Sequence, residues 1–183
     1  QAQNAVTMPY LDAIPQRDPI RRRMTELWDY ERVSAPFHRG DRWFVLHNDG
    51  LQNQPVVFAL DGPDADAGRR VVLDPNEWDA EGRISLAGFV LDDDASHAAF
   101  GVSRAGSDWT EWRVLDVASG EETGDVLAWV KFSSAEWLPD GSGFFYGRYD
   151  EPTGEALEET KQFQKLYLHR LGTPVAKDLK LYT

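Results

Sequence analysis

From about residue 33 onward, short apolar runs alternate with polar turn residues, a pattern typical of an all-β protein. Asp, Ser, Gly and Pro cluster between the runs, for example at 92–94, 118–120 and 139–141, and these residues favour turns. The predicted strands are 43–46, 55–60, 71–73, 84–91, 98–103, 109–117, 129–132, 144–148 and 166–171. The pattern therefore predicts many short strands joined by tight connections.

The first 32 residues follow a different pattern and contain a segment with clear helical periodicity. Apolar side chains at i, i+4, i+7 and i+8 share one face of a helix, and here they are Ile20, Met24, Leu27 and Trp28. Asp18 can cap this helix, and Pro19 suits its first position. We expect a short helical segment over 1–32 and a β domain over 33–183.

One strand pattern occurs three times, at 40–45, 95–100 and 141–146, with a small turn residue followed by polar and then apolar residues. The copies are 55 and 46 residues apart, close to the roughly 40–50 residues of a β-propeller blade. A propeller needs at least about four blades to close. We therefore predict an incomplete β-propeller that belongs to a larger polypeptide. The polar stretch 150–162 interrupts the third copy and is expected to be a surface loop.

Charge and composition narrow the classes of partner. The formal net charge is −12, which disfavours nucleic acid and anionic membrane surfaces because both attract basic proteins. The sequence has no cysteine and no run of 18 apolar residues, so neither a disulfide framework nor a membrane-spanning helix is predicted. The compartment, cytoplasmic or periplasmic, stays open.

Motifs that carry catalysis or bind cofactors are missing from the sequence. A nucleophile elbow needs G-x-S-x-G between a strand and a helix, and the nearest string, 101–105, lacks the final glycine and lies on a predicted strand. No Gly-rich phosphate loop precedes a helix. We expect no catalytic residue and no cofactor in this chain.

Metal-binding patterns are also missing. The four histidines lie far apart without metal-ligand spacing, and each is expected on a surface strand or turn. The acidic clusters 61–66 and 92–94 lack the spaced oxygen ligands of a calcium loop and are expected to be solvated turns. No metal site is predicted.

Four tryptophans in the repeat region are expected to pack between blades, because large aromatic side chains dominate burial in such cores. They are Trp109, Trp112, Trp129 and Trp137. The alternative for any one of them is stacking against a sugar or a peptide.

Several strings together resemble one family, the prolyl oligopeptidases. They are RMTELWDY at 23–30, GLQNQ at 50–54, LDPN at 73–76, GSDW at 106–109, VKFS at 130–133, KLY at 165–167 and LGT at 171–173. Their order and spacing fit the family along the whole chain. The related oligopeptidase B group is less similar at 50–54 and 106–109.

This resemblance implies a seven-bladed propeller that caps an α/β-hydrolase peptidase domain. Residues 1–32 would link from the peptidase domain, and 33–183 would form about the first two to two and a half blades. The parent protein would be a serine endopeptidase that cleaves short peptides after proline without a cofactor. Its catalytic Ser, Asp and His would lie beyond Thr183, so this chain alone is predicted to be inactive.

The resemblance also implies roles for three residues. Phe132 matches an aromatic residue that lines the outer part of the substrate pocket, and its alternative role is ordinary blade core. Asp108 and Trp109 are expected at the interface with the peptidase domain, although Asp108 could instead cap a turn. The implied partners are short proline-containing peptides and the peptidase domain of the same polypeptide.

Two further classes stay open at this point. A propeller can serve as a scaffold or binding module without catalysis, because a fold does not dictate a function. The chain could also be a self-contained all-β domain, if the similarity between the second and third copies were accidental.

Overall fold

A computed structural model describes residues 2–64, 68–152 and 162–182. In this part of the chain, two helices precede thirteen strands. The helices are α1 (Ala2–Asp12) and α2 (Arg17–Trp28). The strands are β1 (Arg32–Val33), β2 (Phe37–Arg39), β3 (Arg42–Asn48), β4 (Val56–Leu60), β5 (Arg70–Leu73), β6 (Ile84–Leu91), β7 (His97–Arg104), β8 (Thr110–Asp116), β9 (Glu122–Val130), β10 (Glu136–Trp137), β11 (Gly143–Arg148), β12 (Lys165–Arg170) and β13 (Leu179–Tyr182).

The strands form three antiparallel meanders. In the first, β1 and β2 pair with opposite ends of β3, and β4 and β5 follow. The second runs from β6 to β9, and the third from β10 to β13. The second and third meanders are joined by one strand pair, Arg148 opposite Val130. Each sheet is an open path with free edges, so the predicted all-β and unclosed arrangement is confirmed.

The repeat identified in the sequence coincides with equivalent strands. Strands β3, β7 and β11 hold equivalent positions in the three meanders. They begin at Arg42, His97 and Gly143, which are 55 and 46 residues apart. The third meander also contains β13, which the apolar pattern did not predict. All four residues of β13 are exposed, so this strand lacks the buried face that produces a recognisable alternation.

The core lies between the meanders, and β7 contributes side chains to both of its buried clusters. Its side chains alternate between two faces, and both faces are covered. Ala98 and Phe100 join residues of the first meander in one buried cluster. Ala99 joins Val114 and Phe144 in a second cluster, which reaches the third meander. Because both faces are buried, the strand reads as a continuous apolar run.

Other segments also differ from the predicted elements, and the short strands β1, β2 and β10 were not predicted. The strand expected over 129–132 is instead the end of β9, which begins at Glu122 and stops at Val130. Phe132 therefore lies outside any strand. Helix α1 was not predicted, since Pro9 lies inside it and none of its residues is buried. Most of the insertion expected over 150–162 falls outside the described residues.

The predicted helix over the apolar positions is present as α2, although it begins earlier than expected. Gln16 precedes its first residue without a side-chain capping bond, and Asp18 lies within the first turn. Neither helix buries a residue. Their apolar side chains instead line an open groove of about 660 Å³ that includes Leu11, Met24 and Trp28. Within the described ranges, neither helix has the length and hydropathy to span a membrane.

Candidate functional site

The ends of three strands bring a group of aromatic and charged side chains together, which we call the aromatic edge. Val130 of β9 pairs with Thr110 at the start of β8 and with Arg148 at the end of β11. Residues flanking these pairs therefore meet at one place. The aromatic edge consists of Asp108, Trp109, Trp129, Lys131, Phe132 and Tyr149.

Trp109 is the centre of the aromatic contacts. Its ring centroid lies 5.6 Å from that of Trp129, with the ring planes at 89°. The ring centroid of Tyr149 lies 5.9 Å from that of Trp109, with the ring planes at 87°. Such edge-to-face pairs contribute about 0.5–1.5 kcal/mol each beyond the area they bury. The three rings therefore form a packed platform in which each edge-to-face contact adds stability.

Lys131 connects this platform to Phe132. Its Nζ lies 2.9 Å from Oδ2 of Asp108. The same Nζ lies 5.7 Å from the ring centroid of Trp109 and 5.1 Å from that of Phe132. These distances are within the roughly 6 Å range of cation–π attraction. The Lys131 side chain is only 16% exposed, so its charge is largely withdrawn from solvent and screened less than a surface charge.

Phe132 combines an unusual backbone with an exposed ring. Its φ is +55°, a left-handed conformation that bulky residues rarely adopt. The residue is 79% exposed and belongs to neither buried cluster, so within the described residues it is not part of a blade core. Strained backbone persists where the surroundings enforce it, and it is concentrated at functional sites.

The residues on both sides of Phe132 are held by hydrogen bonds, one through a backbone carbonyl and one through a side-chain hydroxyl. The Gln164 side-chain amide donates to the Lys131 carbonyl at 2.9 Å. The Gly147 backbone N–H donates to the Ser133 hydroxyl at 2.7 Å. These two bonds fix the turn from the ends of β11 and β12, and they account for a strained residue that nevertheless has a defined position.

Asp108 and Trp109 lie together at this edge, as their adjacent positions require. Asp108 is 63% exposed and its carboxylate faces Lys131. The turn before β8 is capped by a hydroxyl instead, because the Trp109 N–H donates to Ser107 Oγ at 3.1 Å. Whether Asp108 and Trp109 contact a peptidase domain stays a prediction.

The tryptophans divide into two pairs. Trp112 is 3% exposed and belongs to the second buried cluster, and Trp137 packs against that cluster. These two confirm the predicted packing between blades. Trp109 and Trp129 are half-buried and belong to neither cluster. Trp109 nevertheless contacts Tyr149, which follows β11 of the third meander, so the predicted packing between blades is confirmed for this residue at the edge of the blades and not in their core.

A second polar cluster lies deep in the third meander around His169, which is fully buried. Its Nε2 lies 3.1 Å from Asp125 Oδ1, and its Nδ1 lies 2.8 Å from Asp178 Oδ1. The Tyr146 hydroxyl donates to Asp178 Oδ2 at 2.6 Å, and the Gly172 N–H donates to Asp125 Oδ1 at 2.8 Å. Burial, assisted by the bond to Asp178, raises the pKa of Tyr146 well above its usual value. The cluster ties β9, β11 and β12 to the turn before β13.

The surface location predicted for the histidines is therefore wrong for His169. The solvated turn predicted at 92–94 is also wrong in part, since Asp92 is 2% exposed. Its carboxylate accepts the Ser96 N–H at 2.7 Å and lies 3.3 Å from His97 Nδ1. Part of the other acidic cluster, 61–66, falls outside the described residues. Among the described residues, no group of three or more His, Cys, Asp or Glu is arranged to hold a metal ion.

Sequence reasoning did not identify Lys131 as a partner of Phe132, nor Trp129 and Tyr149 as partners of Trp109. Lys131 lies within the VKFS string, next to the residue that was identified. Its contacts with Asp108 and Trp109 depend on the pairing of β8 with β9, which the apolar pattern did not specify. Adjacency within a matched string was the one available signal.

Comparison with known proteins identifies the family. Residues 1–183 match the family model described as the N-terminal beta-propeller domain of prolyl oligopeptidase. A prolyl endopeptidase of Elizabethkingia meningoseptica is 38% identical over 174 residues, covering 94% of this chain and 24% of that protein. Prolyl oligopeptidase A of Galerina marginata is 31% identical over 206 residues, covering 99% of this chain and 28% of that protein.

Solved structures agree with these relatives. One of two prolyl endopeptidases analysed for inter-domain dynamics has a TM-score of 0.89 and 29% identity, covering 99% of this chain and 27% of that chain. Prolyl oligopeptidase B of Galerina marginata, bound to a 25mer macrocyclization substrate, has a TM-score of 0.86 and 26% identity over 99% of this chain and 28% of that chain.

This chain spans about a quarter of the length of these relatives. The matches confirm the predicted incomplete β-propeller, and the family to which they point is one of peptidases. The chain belongs to the prolyl oligopeptidase family and corresponds to part of its N-terminal β-propeller domain.

Proposed function

We propose that this chain is the first part of the propeller of a serine endopeptidase that cleaves short peptides after proline. The relatives of Elizabethkingia and Galerina, named as prolyl endopeptidase and prolyl oligopeptidase, support the reaction class. The catalytic Ser, Asp and His would be supplied by a peptidase domain elsewhere in the same polypeptide. The role of this chain would be to admit and contact the substrate.

The two ends of the chain would serve different purposes. Residues 1–32 would link from the peptidase domain, and the apolar groove along α1 and α2 supports this because it leaves Trp28 64% and Met24 63% exposed. Residues 33–183 would begin the propeller that restricts access to peptide-sized substrates.

Phe132 would line the outer part of the substrate pocket. The observation that carries this role is its 79% exposed ring on a left-handed turn held from both sides. An exposed and positioned aromatic ring can pack against proline and other apolar side chains of a peptide. Asp108 and Trp109, at the same edge, would face the peptidase domain.

The test uses the full-length polypeptide that contains this chain. We expect it to cleave a Gly-Pro reporter peptide, and we expect a serine-directed inhibitor to abolish the cleavage. Residues 1–183 alone should release no reporter. Cleavage by 1–183 that the inhibitor does not affect would contradict the proposal.

The same assay separates the two alternatives. If the full-length protein cleaved peptides but not after proline, an oligopeptidase B-type enzyme would be favoured. If it cleaved no peptide, a propeller scaffold without catalysis would be favoured.

A further inference from the structure

We propose that Lys131 is a positioning residue that holds the Phe132 ring in place and thereby sets the affinity for the part of a peptide farthest from the cleaved bond. This inference rests on the proposed function, because it assigns Lys131 a role in the same substrate pocket. It concerns a residue that the resemblance to the family does not assign.

The hydrogen bonds of the turn do not fix the Phe132 ring, so a separate contact is needed to hold the ring in one orientation. Gln164 binds the backbone carbonyl of Lys131, and the Ser133 hydroxyl accepts the Gly147 N–H. The ring itself is 79% exposed, and among its described contacts the Lys131 ammonium lies 5.1 Å from the ring centroid. A side chain with so little packing would otherwise sample several rotamers, and ordering it on binding would reduce affinity.

Lys131 is suited to this task because three further contacts restrict it. Its Nζ forms an ion pair with Asp108 at 2.9 Å and lies 5.7 Å from the centroid of Trp109. Its carbonyl accepts the Gln164 amide. Trp109 is in turn held edge-on by Trp129 and Tyr149. The ammonium therefore links the exposed ring to the packed aromatic platform.

A preorganised ring should affect substrate binding more than the chemical step. An outer pocket contacts peptide residues remote from the cleaved bond, so a short reporter does not reach it. Loss of the contact between the Lys131 ammonium and the Phe132 ring should thus raise KM for a longer peptide and leave kcat nearly unchanged. A lysine with a purely structural role would affect short and long substrates alike.

The experiment uses the full-length polypeptide and two reporters, a Gly-Pro dipeptide and a longer peptide with an apolar residue two positions before proline. Lys131→Met removes the charge and keeps an unbranched side chain. We expect it to raise KM for the longer peptide about three- to tenfold, the size of effect that a partly buried cation–π contact supports. For the dipeptide, KM and kcat should stay within about twofold of the parent. Lys131→Arg should restore most of the affinity, since a guanidinium also stacks on aromatic faces.

A double-mutant cycle with Phe132→Ala tests whether Lys131→Met changes KM through the Phe132 ring. If Lys131 acts through the Phe132 ring, Lys131→Met should change KM by less than about twofold in the Phe132→Ala background. Lys177→Met, a change at an exposed lysine away from the aromatic edge, is the matched control and should leave both reporters unaffected.

The inference is overturned if Lys131→Met leaves KM for the longer peptide unchanged, or raises it equally with and without the Phe132 ring. Should Lys131→Met fail to fold, Asp108→Asn takes its place, because it removes the ion pair and leaves the ammonium. A smaller KM increase that disappears with Phe132→Ala supports the inference, and an unchanged KM overturns it. If the parent protein cleaved neither reporter, the proposed function would fail first, and the inference with it.

Discussion

At the residue scale, this protein contains two arrangements of charged side chains, one at the surface and one fully buried. Lys131 and Asp108 form a partly exposed pair that orients an aromatic ring at the surface. His169 lies between two buried carboxylates, one on each ring nitrogen. The buried arrangement depends on complete pairing, because an unpaired buried charge is strongly destabilising.

Tyr146 gives this buried cluster a testable dependence on pH. Its pKa in the folded protein is raised by burial and by its bond to Asp178, whereas an unfolded tyrosine titrates near about pH 10. Above about pH 10 the unfolded chain loses this proton and the folded chain keeps it, so the free energy of unfolding must fall as pH rises. Tyr146→Phe should remove this contribution, which amounts to about 1.4 kcal/mol per pH unit for one proton.

The measurement is denaturant unfolding of the parent and of Tyr146→Phe between about pH 8 and pH 11. At neutral pH the variant should be less stable, by about 1–3 kcal/mol, since Asp178 loses a donor in a buried site. Above about pH 10 the two curves should converge. Parallel curves over the whole range would show that Tyr146 does not carry the dependence.

At the element scale, strand pairing sets limits that the apolar pattern does not reveal. Gly143 begins β11, opposite Arg170 of β12. A Cβ at this position would lie 2.0 Å from the His169 carbonyl oxygen, so a larger residue cannot fit without displacing the backbone. The glycine at this position reflects the close approach of the two strands, at the point where β12 presents His169 to its carboxylates.

Gly143→Ala should therefore destabilise the third meander. We expect a loss of about 1–3 kcal/mol in the free energy of unfolding, the usual cost of forcing an extra methyl group into a packed site. Gly62→Ala is the matched control, because a Cβ there meets no atom of the described residues within 4 Å. Denaturant titration of both variants checks the prediction, and equal stabilities would refute the steric argument.

At the scale of the whole molecule, the described residues include exposed sheet edges and an exposed apolar groove. The sheets are open paths, and the last strand, β13, has every residue exposed. The helices bury no residue and line an apolar groove. The chain spans about a quarter of its relatives; under the proposed function, further blades and a peptidase domain would cover these surfaces.

The helix groove allows this expectation to be tested in the full-length polypeptide. Met24 lines the groove, whereas Met8 lies on α1 and does not. If the peptidase domain covers the groove, Met24→Glu should bury a charge and lower the free energy of unfolding by at least about 1 kcal/mol more than Met8→Glu does. Unfolding curves of the two variants provide the comparison, and equal losses would mean that the groove stays exposed.

The sequence by itself determined the repeat, the helix over the apolar positions, and the family. The spacing of β3, β7 and β11 could be read because alternation and turn residues are local properties. The same holds for Ile84–Leu91, whose predicted and observed bounds agree. Phe132 was selected as a candidate pocket residue because it lies in a matched string, although the strand predicted around it was wrong.

Only the tertiary structure decided which distant residues meet. The pairing of β8 with β9 joins Asp108 and Trp109 to Lys131, and β12 carries His169 to Asp125, 44 residues earlier in the chain. Burial of a polar side chain depends on partners supplied by other strands, which a local pattern does not encode. The left-handed turn at Phe132 likewise depends on hydrogen bonds from Gly147 and Gln164. Local sequence sets the strands, and long-range pairing sets the site.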